Sequence, residues 1–427
     1  MGMLKTVAQA WKIPEIRRKM IFTLLMLVVF RIGSNIPVPN IDRNVLADMF
    51  TGDTGLFELF DLFSGGSFSN FTIFALSITP YITASIIIQL LTAFPYFERL
   101  AREGVEGRKK MAQITRYLTV VLALVQAIGL TVGLFRSAVI DQSVFSIIVI
   151  ILVLTAGTAF LMWLGEQINE KGVGNGISLI IFAGIVARIP SGIRSLALAL
   201  EDGGISVITL IIFVIAAIAV TAVVVLIQEG QRRIPVQYAK RVVGRKMYGG
   251  QSTHIPIKVN QSGVIPIIFA LSLLQFPLTI TYFFPDTAFT DWVTKYLSPA
   301  GNPGVWIYGV LNIILIIFFT YFYTAITFNP SEVADRMKAN GGFIPGIRPG
   351  KATEEYLQKV MSRITIVGAV FLAAIATLPT ILSVMVPSLS GIHFGGTSLL
   401  IAVGVALDTV RQLENQMIMR NYQGFLK

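Results

Sequence analysis

Long apolar runs cut by hydrophilic loops set the rhythm of this chain. They fall at 20–36, 71–94, 115–135, 144–164, 176–189, 205–227, 264–284, 305–328, 364–386 and 394–410. A helix needs about 20 residues to cross the hydrocarbon of a bilayer. The pattern therefore predicts an all-α polytopic membrane protein with ten transmembrane helices. Lys and Arg crowd into every second loop: 28 of the 34 precede the first run, lie in loops 95–116, 166–176, 228–262 and 329–363, or follow residue 410. The intervening loops hold only five, and Arg31 sits inside the first run. Positive charge is retained on the cytoplasmic side, so both termini are expected there, with an even number of spans.

Ten spans divide as five and five, and an odd number in each half makes the halves opposite in orientation, as inverted repeats require. The expected organisation is a cytoplasmic segment 1–19, an N-terminal half 20–200, a C-terminal half 201–410 and a cytoplasmic tail 411–427. No residue-level repeat links the halves. The fifth run is short, interrupted by Arg188 and Pro190 before apolar residues resume at 195–200. Lipid tolerates such a helix poorly, which turns it toward protein or water.

Composition fits this picture. Hydrophobic residues make up 54% of the chain and charged ones 13%, with a mean hydropathy of +0.73. The net charge of +11 resides in the cytoplasmic loops, where anionic lipid, nucleic acid or an acidic protein would feel it. No cysteine is present, and His254 and His393 lie too far apart in sequence to read as a metal site. The basic residues before the first run lack a small-residue cleavage site, so that run reads as a retained helix.

Polar chemistry at membrane depth is sparse. The glycines of EKGVGNG (Gly172, Gly174, Gly176) have no P-loop lysine after them and no strand before them, and read as a tight hairpin. Glu166, Glu170, Glu229 and Asp408 lie at cytoplasmic span ends, not at the mid-membrane position of an ion-coupling acid. No span holds a histidine to serve a serine nucleophile, so no catalytic centre is read. The second run carries Thr79, Thr83 and Gln89, the third Gln126, and the seventh Gln275 beside Phe276. Ordinary interhelical hydrogen bonding is the plainer reading of these residues; a chain that released apolar segments sideways would need such groups along a seam between the second and seventh spans, a lateral gate. Segment 56–68, LFELFDLFSGGSF, repeats Leu56, Phe57, Leu59, Phe60, Leu62 and Phe63 at helical spacing and ends at Gly65-Gly66. It is too short to span, and is either an external amphipathic helix or a re-entrant one.

Two stretches carry a resemblance: ALSITPYITASIIIQLL (75–91) and MWLGEQINEKGVGNGISLII (162–181). Both are similar to signature segments of the SecY family, pore subunits of the bacterial Sec translocation channel. Loops 231–266 and 329–350 agree as well, and the match runs collinearly from Trp11 to Gly424. The resemblance implies two inverted five-helix halves around an hourglass pore, in the bacterial cytoplasmic membrane, with segment 56–68 as a re-entrant plug. It implies passage of unfolded polypeptide and sideways release of hydrophobic segments into lipid. The family's constriction ring carries over to Ile82, Ile86, Ile181, Ile185, Ile268 and Ile401; Gly404 and Ala406 depart from the larger residues of many relatives. Partner contact carries over to Arg241, Arg245, Lys246 and Arg348. The implied partners are the SecE and SecG membrane subunits, the SecA ATPase motor, translating ribosomes, and a polypeptide with its signal peptide. No Walker motif is present, so the work must come from a partner. No cofactor is expected. The alternative function is a secondary transporter of a small solute, which needs a polar centre where an aliphatic one is read.

Overall fold

The computed structural model describes residues 3–46, 61, 64–201, 203, 206–238, 241–243, 246–248, 252–284, 287–298, 303–385 and 396–424. Helix α1 (Met3–Lys12) leads into α2 (Pro14–Gly33), which opens with Pro14, a residue whose missing N–H costs nothing in a first turn. The second apolar run does not form one helix. Its first half, through Ile78, is a series of turns with positive φ at Phe71 and Ser77, and only α3 (Thr79–Leu91) is helical. Non-helical backbone survives at membrane depth only inside protein, and Phe71, Phe74, Ala75, Leu76 and Ile78 are all buried. After α3 the chain turns by 104° into α4 (Pro95–Arg102).

Helix α5 (Val105–Ile128) ends in a π-helical turn at Gly129–Leu134, and α6 (Val144–Lys171) is capped by Ser143, whose hydroxyl accepts from the Ser146 N–H. The fifth run is longer than expected: α7 (Gly176–Glu201) continues through Pro190. Helix α8 (Val207–Glu229) exposes most of its surface, only 6% of its most apolar stretch being covered. The C-terminal part holds α9 (Ile265–Thr281), the short α10 (Ala288–Tyr296), α11 (Gly304–Thr327), α12 (Pro330–Ala339), α13 (Lys351–Met385) and α14 (Gly396–Gly424).

Among the described residues six helices (α5 with its π turn, α6, α7, α8, α11, α13) are long and apolar enough to cross a membrane alone, and the bent α3–α4 pair is a seventh candidate. The other expected spans are helical too, but α2 and α14 carry charges at their ends and α9 has only 17 residues. This is a multi-pass membrane protein. Helices α2, α3, α5, α6 and α7 pack together, as do α8, α9, α11, α13 and α14. The two groups meet along two seams, α3 against α9 and α7 against α14.

The basic loops 228–262 and 329–363 join into one lobe with its own sheet. Strands β1 (Gln231–Tyr238) and β4 (Ser252–Lys258) pair antiparallel, β5 (Gly342–Phe343) adds to β1, and β2 (Arg241–Val243) with β3 (Lys246–Tyr248) forms a hairpin between them. Ile234, Val236 and Ile257 from the sheet face Met337, Leu357 and Val360 in a separate core.

Candidate pore constriction

The six candidate ring residues converge. Ile82 and Ile86 lie one turn apart on α3, and Ile181 and Ile185 one turn apart on α7. Ile268 sits in the first turn of α9 and Ile401 on α14. All six belong to one buried cluster, none more than 6% exposed, with Phe30, Phe74 and Leu161 packed behind them. Two helices of each group contribute, so the cluster straddles both seams. Its chemistry is aliphatic: a dry contact that offers no hydrogen bond, no charge and no metal ligand. Branching at Cβ leaves each isoleucine few rotamers, which suits a wall that must hold its shape.

A turn is seated against α7 next to this wall. Of segment 56–68, residues Leu56, Phe57, Leu59, Phe60, Leu62 and Phe63 lie outside the described residues; Asp61, Ser64, Gly65, Gly66 and Phe68 are described. All but Gly66 among these are buried. Gly65 (φ 63°) and Gly66 (φ 91°) adopt left-handed backbone that a side chain would strain. Gly65 lies against Gly184 of α7, so close that a Cβ added to it would fall 2.5 Å from the Gly184 Cα. Gly184 immediately precedes Ile185. The carboxylate of Asp61 organises the turn: Oδ1 accepts from the Ser64 hydroxyl (2.8 Å) and the Ser69 N–H (3.2 Å), and the Ser64 hydroxyl accepts from the Phe68 N–H (3.0 Å). Asp61 Oδ2 pairs with Arg188 Nη2 at 3.0 Å, and Arg31 Nη1 donates to the Gly65 carbonyl at 3.4 Å. Asp61 was not singled out from sequence. The signal was available in Arg188, since an arginine in an apolar span requires a partner.

The seam between α3 and α9 is apolar with a few embedded polar groups. Thr79, Thr83 and Gln275 are buried there, as is Gln126 on neighbouring α5, whereas Phe276 is 40% exposed. Thr83 donates to its own helix at the Thr79 carbonyl (3.0 Å), and Gln89 Nε2 to the Ser85 hydroxyl (3.1 Å), so neither bond crosses the seam. Both amide atoms of buried Gln275 lack a partner. Close approach at one end comes from the π turn of α5: a Cβ on Gly133 would fall 1.6 Å from the Tyr282 carbonyl oxygen.

On the basic side, Arg348 is exposed on a turn bounded by Gly346 (φ 82°) and Gly350 (φ 97°), and its carbonyl accepts from the Thr353 hydroxyl at 2.9 Å. Arg241 and Lys246 lie on the β2–β3 hairpin, while Arg245 falls outside the described residues. Where the lobe meets the helices, Arg411 donates to the Gln228 carbonyl (2.7 Å) and the Glu229 carboxylate (2.9 Å). A cavity of about 270 Å³ opens there, lined by the polar Asn175, Lys258, Asp408, Arg411 and Gln412 and by the aliphatic Ile265 and Val405. Partial burial, then the nearby Arg411 charge, lowers the Lys258 pKa from its ordinary value. Val264 and Val405 of the cavity lining belong to the same buried cluster as the six isoleucines.

Known proteins match this architecture along the whole chain. The model of the SecY family matches residues 72–410. The protein translocase subunit SecY of Halalkalibacterium halodurans is 49% identical over 436 residues, and that of Streptomyces coelicolor 47% over 444, each match covering 100% of both chains. Among solved structures, a protein-conducting channel superposes with a TM-score of 0.69 at 23% identity, covering 96% of this chain and 97% of its own. A structure describing a SecY plug domain that stabilises the closed channel gives 0.67 at 23%, with the same coverage. These likenesses extend the ten-helix fold with a plug to the present chain, and on the family match and the full-length identities the chain belongs to the SecY family of protein-conducting channels, a non-catalytic family.

Proposed function

We propose that this chain passes unfolded polypeptides across the cytoplasmic membrane and releases hydrophobic segments sideways into lipid. The observation that carries the reading is the convergence of six isoleucines from four helices beneath a buried turn. An uncharged ring gates by dewetting when empty and offers a passing chain of arbitrary sequence nothing to bind. In this reading segment 56–68 is the plug, and Thr79, Thr83, Gln89, Gln126, Gln275 and Phe276 flank a lateral gate. Residues 20–200 and 201–410 are its two halves, with both termini in the cytosol. The lobe is then the docking face for a SecA-type motor and the ribosome, with Arg348 at its exposed turn. Ribosome contact is supported by a structural relative described in a canine ribosome–channel complex, TM-score 0.63. Small SecE- and SecG-type subunits are expected against exposed helix surfaces such as α8.

The test is vesicle import of a signal-bearing preprotein by the chain reconstituted with such subunits and motor. A photo-crosslinker placed at Ile86 or Ile268 should capture the arrested preprotein, while one at lobe residue Arg348 should capture the motor. Import without any ring crosslink would overturn the proposed route. In the same assay Arg348→Glu should slow motor-driven import while the chain still folds and inserts.

A further inference from the structure

We propose that the Asp61–Arg188 ion pair, with Arg31 as a second tie, is a releasable latch. It holds the plug turn on α7 and sets how strong a targeting segment must be to open the channel. The inference rests on the channel reading above and adds to it a residue pair that determines stringency.

Three features distinguish a latch from a fixed structural bond. First, the pair crosses between two elements that the channel reading requires to separate. Asp61 belongs to the turn, where its Oδ1 is committed to Ser64 and Ser69, and only Oδ2 reaches across to α7. Losing Arg188 would therefore leave the turn's own hydrogen bonds in place. Second, the grip is single-armed. Arg188 engages through Nη2, while its buried Nη1 has no hydrogen-bond partner among the described residues. A guanidinium built for permanence uses both arms of its fork on a carboxylate. Third, the other ties the described turn residues make to α7 and α2 are light: the backbone approach of Gly65 to Gly184, and a long 3.4 Å bond from Arg31 to the Gly65 carbonyl. Separating the turn from α7 exposes two charges to water, so the hydration regained offsets the attraction lost. An ion pair is well suited to such reversible closure, because its net contribution is small while its loss on one side alone is large.

The position gives the pair leverage. Gly184 and Arg188 are one helical turn apart on α7, as are Ile181 and Ile185. A shift of α7 that loosens the ring would also move the guanidinium away from the carboxylate.

A double-mutant cycle tests the proposal on the reconstituted complex. Asp61→Asn keeps an acceptor for Ser64 and Ser69, and Arg188→Gln keeps length without charge. Each single variant should raise resting conductance in planar bilayers, and import of a preprotein with a weakened signal, by roughly five- to thirty-fold. The double variant should be no worse than either single. The charge-swapped chain, Asp61→Arg with Arg188→Asp, should recover part of the stringency, which a folding defect would not. Additive effects in the cycle, or singles indistinguishable from the unaltered chain, overturn the latch. Ile268→Asn distinguishes that failure from failure of the channel reading. If it leaks while the latch variants stay tight, the channel stands and the latch falls. If the unaltered complex imports nothing and Ile268→Asn is also silent, both fall.

Discussion

The isoleucine constriction and the basic lobe handle polar atoms in opposite ways. Around the constriction the functional surface is what charge has been kept out of: six isoleucines in a dry cluster, with Asp61 and Arg188 neutralising each other nearby. In the lobe an ordinary soluble core of Ile234, Val236 and Leu357 supports charges on the outside, Arg348 among them. On the proposed reading, one region works by offering a substrate nothing specific and the other by offering a partner arginine's fixed fork. The two functions this reading assigns, conduction and recognition, then rest on separate hydrophobic cores.

If the cores are separate, damage to one should spare the other. Leu357 is wholly buried in the lobe, and Leu357→Ala should destabilise it by about 2–5 kcal/mol. Hydrogen exchange in β1 and β4 should accelerate while amides of α6 and α13's membrane portion stay protected. Loss of protection in both would make lobe and bundle one cooperative unit. The reciprocal variant is Ile401→Asn, which places an amide in the dry cluster at a cost of about 1–3 kcal/mol if left unpaired. Bilayer conductance should rise, the seal being the part weakened, with lobe exchange unchanged.

These two regions also differ in how far the sequence discloses them. The bilayer forces long continuous apolar runs, so ten helices and the stacking of Ile82 on Ile86 and of Ile181 on Ile185 could be read from spacing alone. Where protein replaces lipid as the surroundings, that guide fails: residues 71–78 are as apolar as a span yet form buried turns, and α7 runs on through Pro190 into a largely exposed end. The lobe's sheet was illegible for another reason. Strand β1 pairs with residues 252–258 and again with 342–343, and no local pattern in so short a strand announces partners so distant. The six isoleucines required the family resemblance, since nothing in an isoleucine itself distinguishes a pore from a core. The Asp61–Arg188 pair needed coordinates, because several acids in loop 38–70 were eligible partners.

A smaller effect sharpens the contrast from within the membrane region. Gln275 is 3% exposed and neither amide atom has a partner, which sets it apart from the paired Asp61. Gln275→Leu removes that burden with little change in volume and should favour the packed α3–α9 seam by about 1–2 kcal/mol. Membrane insertion of a marginally hydrophobic segment should fall, with soluble-domain import less affected. An increase in insertion would mean that the amide holds the seam shut.

The smallest effect is expected at a site outside both regions. Asp141 is exposed ahead of α6, where it accepts from the Ser143 hydroxyl (2.9 Å), the Ser146 hydroxyl (2.9 Å) and the Ser143 N–H (3.1 Å). Asn40 donates to the same Ser146 hydroxyl at 2.8 Å, tying the first loop to this cap. The Ser143 side chain, then Ser146 and the Ser143 backbone, lower the Asp141 pKa from its ordinary value. A carboxylate with a lowered folded-state pKa contributes stability that is fully present above its unfolded value and lost as pH falls through the lowered one. The window therefore lies at and below the ordinary carboxylate range, and near neutral pH the cap should be insensitive. Carbon-detected NMR of the Asp141 carboxyl should show a midpoint below that of an unstructured aspartate. In Ser143→Ala the midpoint should move upward, because two of the three donors act through Ser143 and one of them is its hydroxyl. Asp141 itself is exposed to water, so resting conductance should not change in that variant. An unmoved midpoint would remove the hydroxyl as the cause. A change in conductance would show that even this exposed cap is mechanically joined to the seal, and the separation between the dry constriction and its polar surroundings would have to be redrawn.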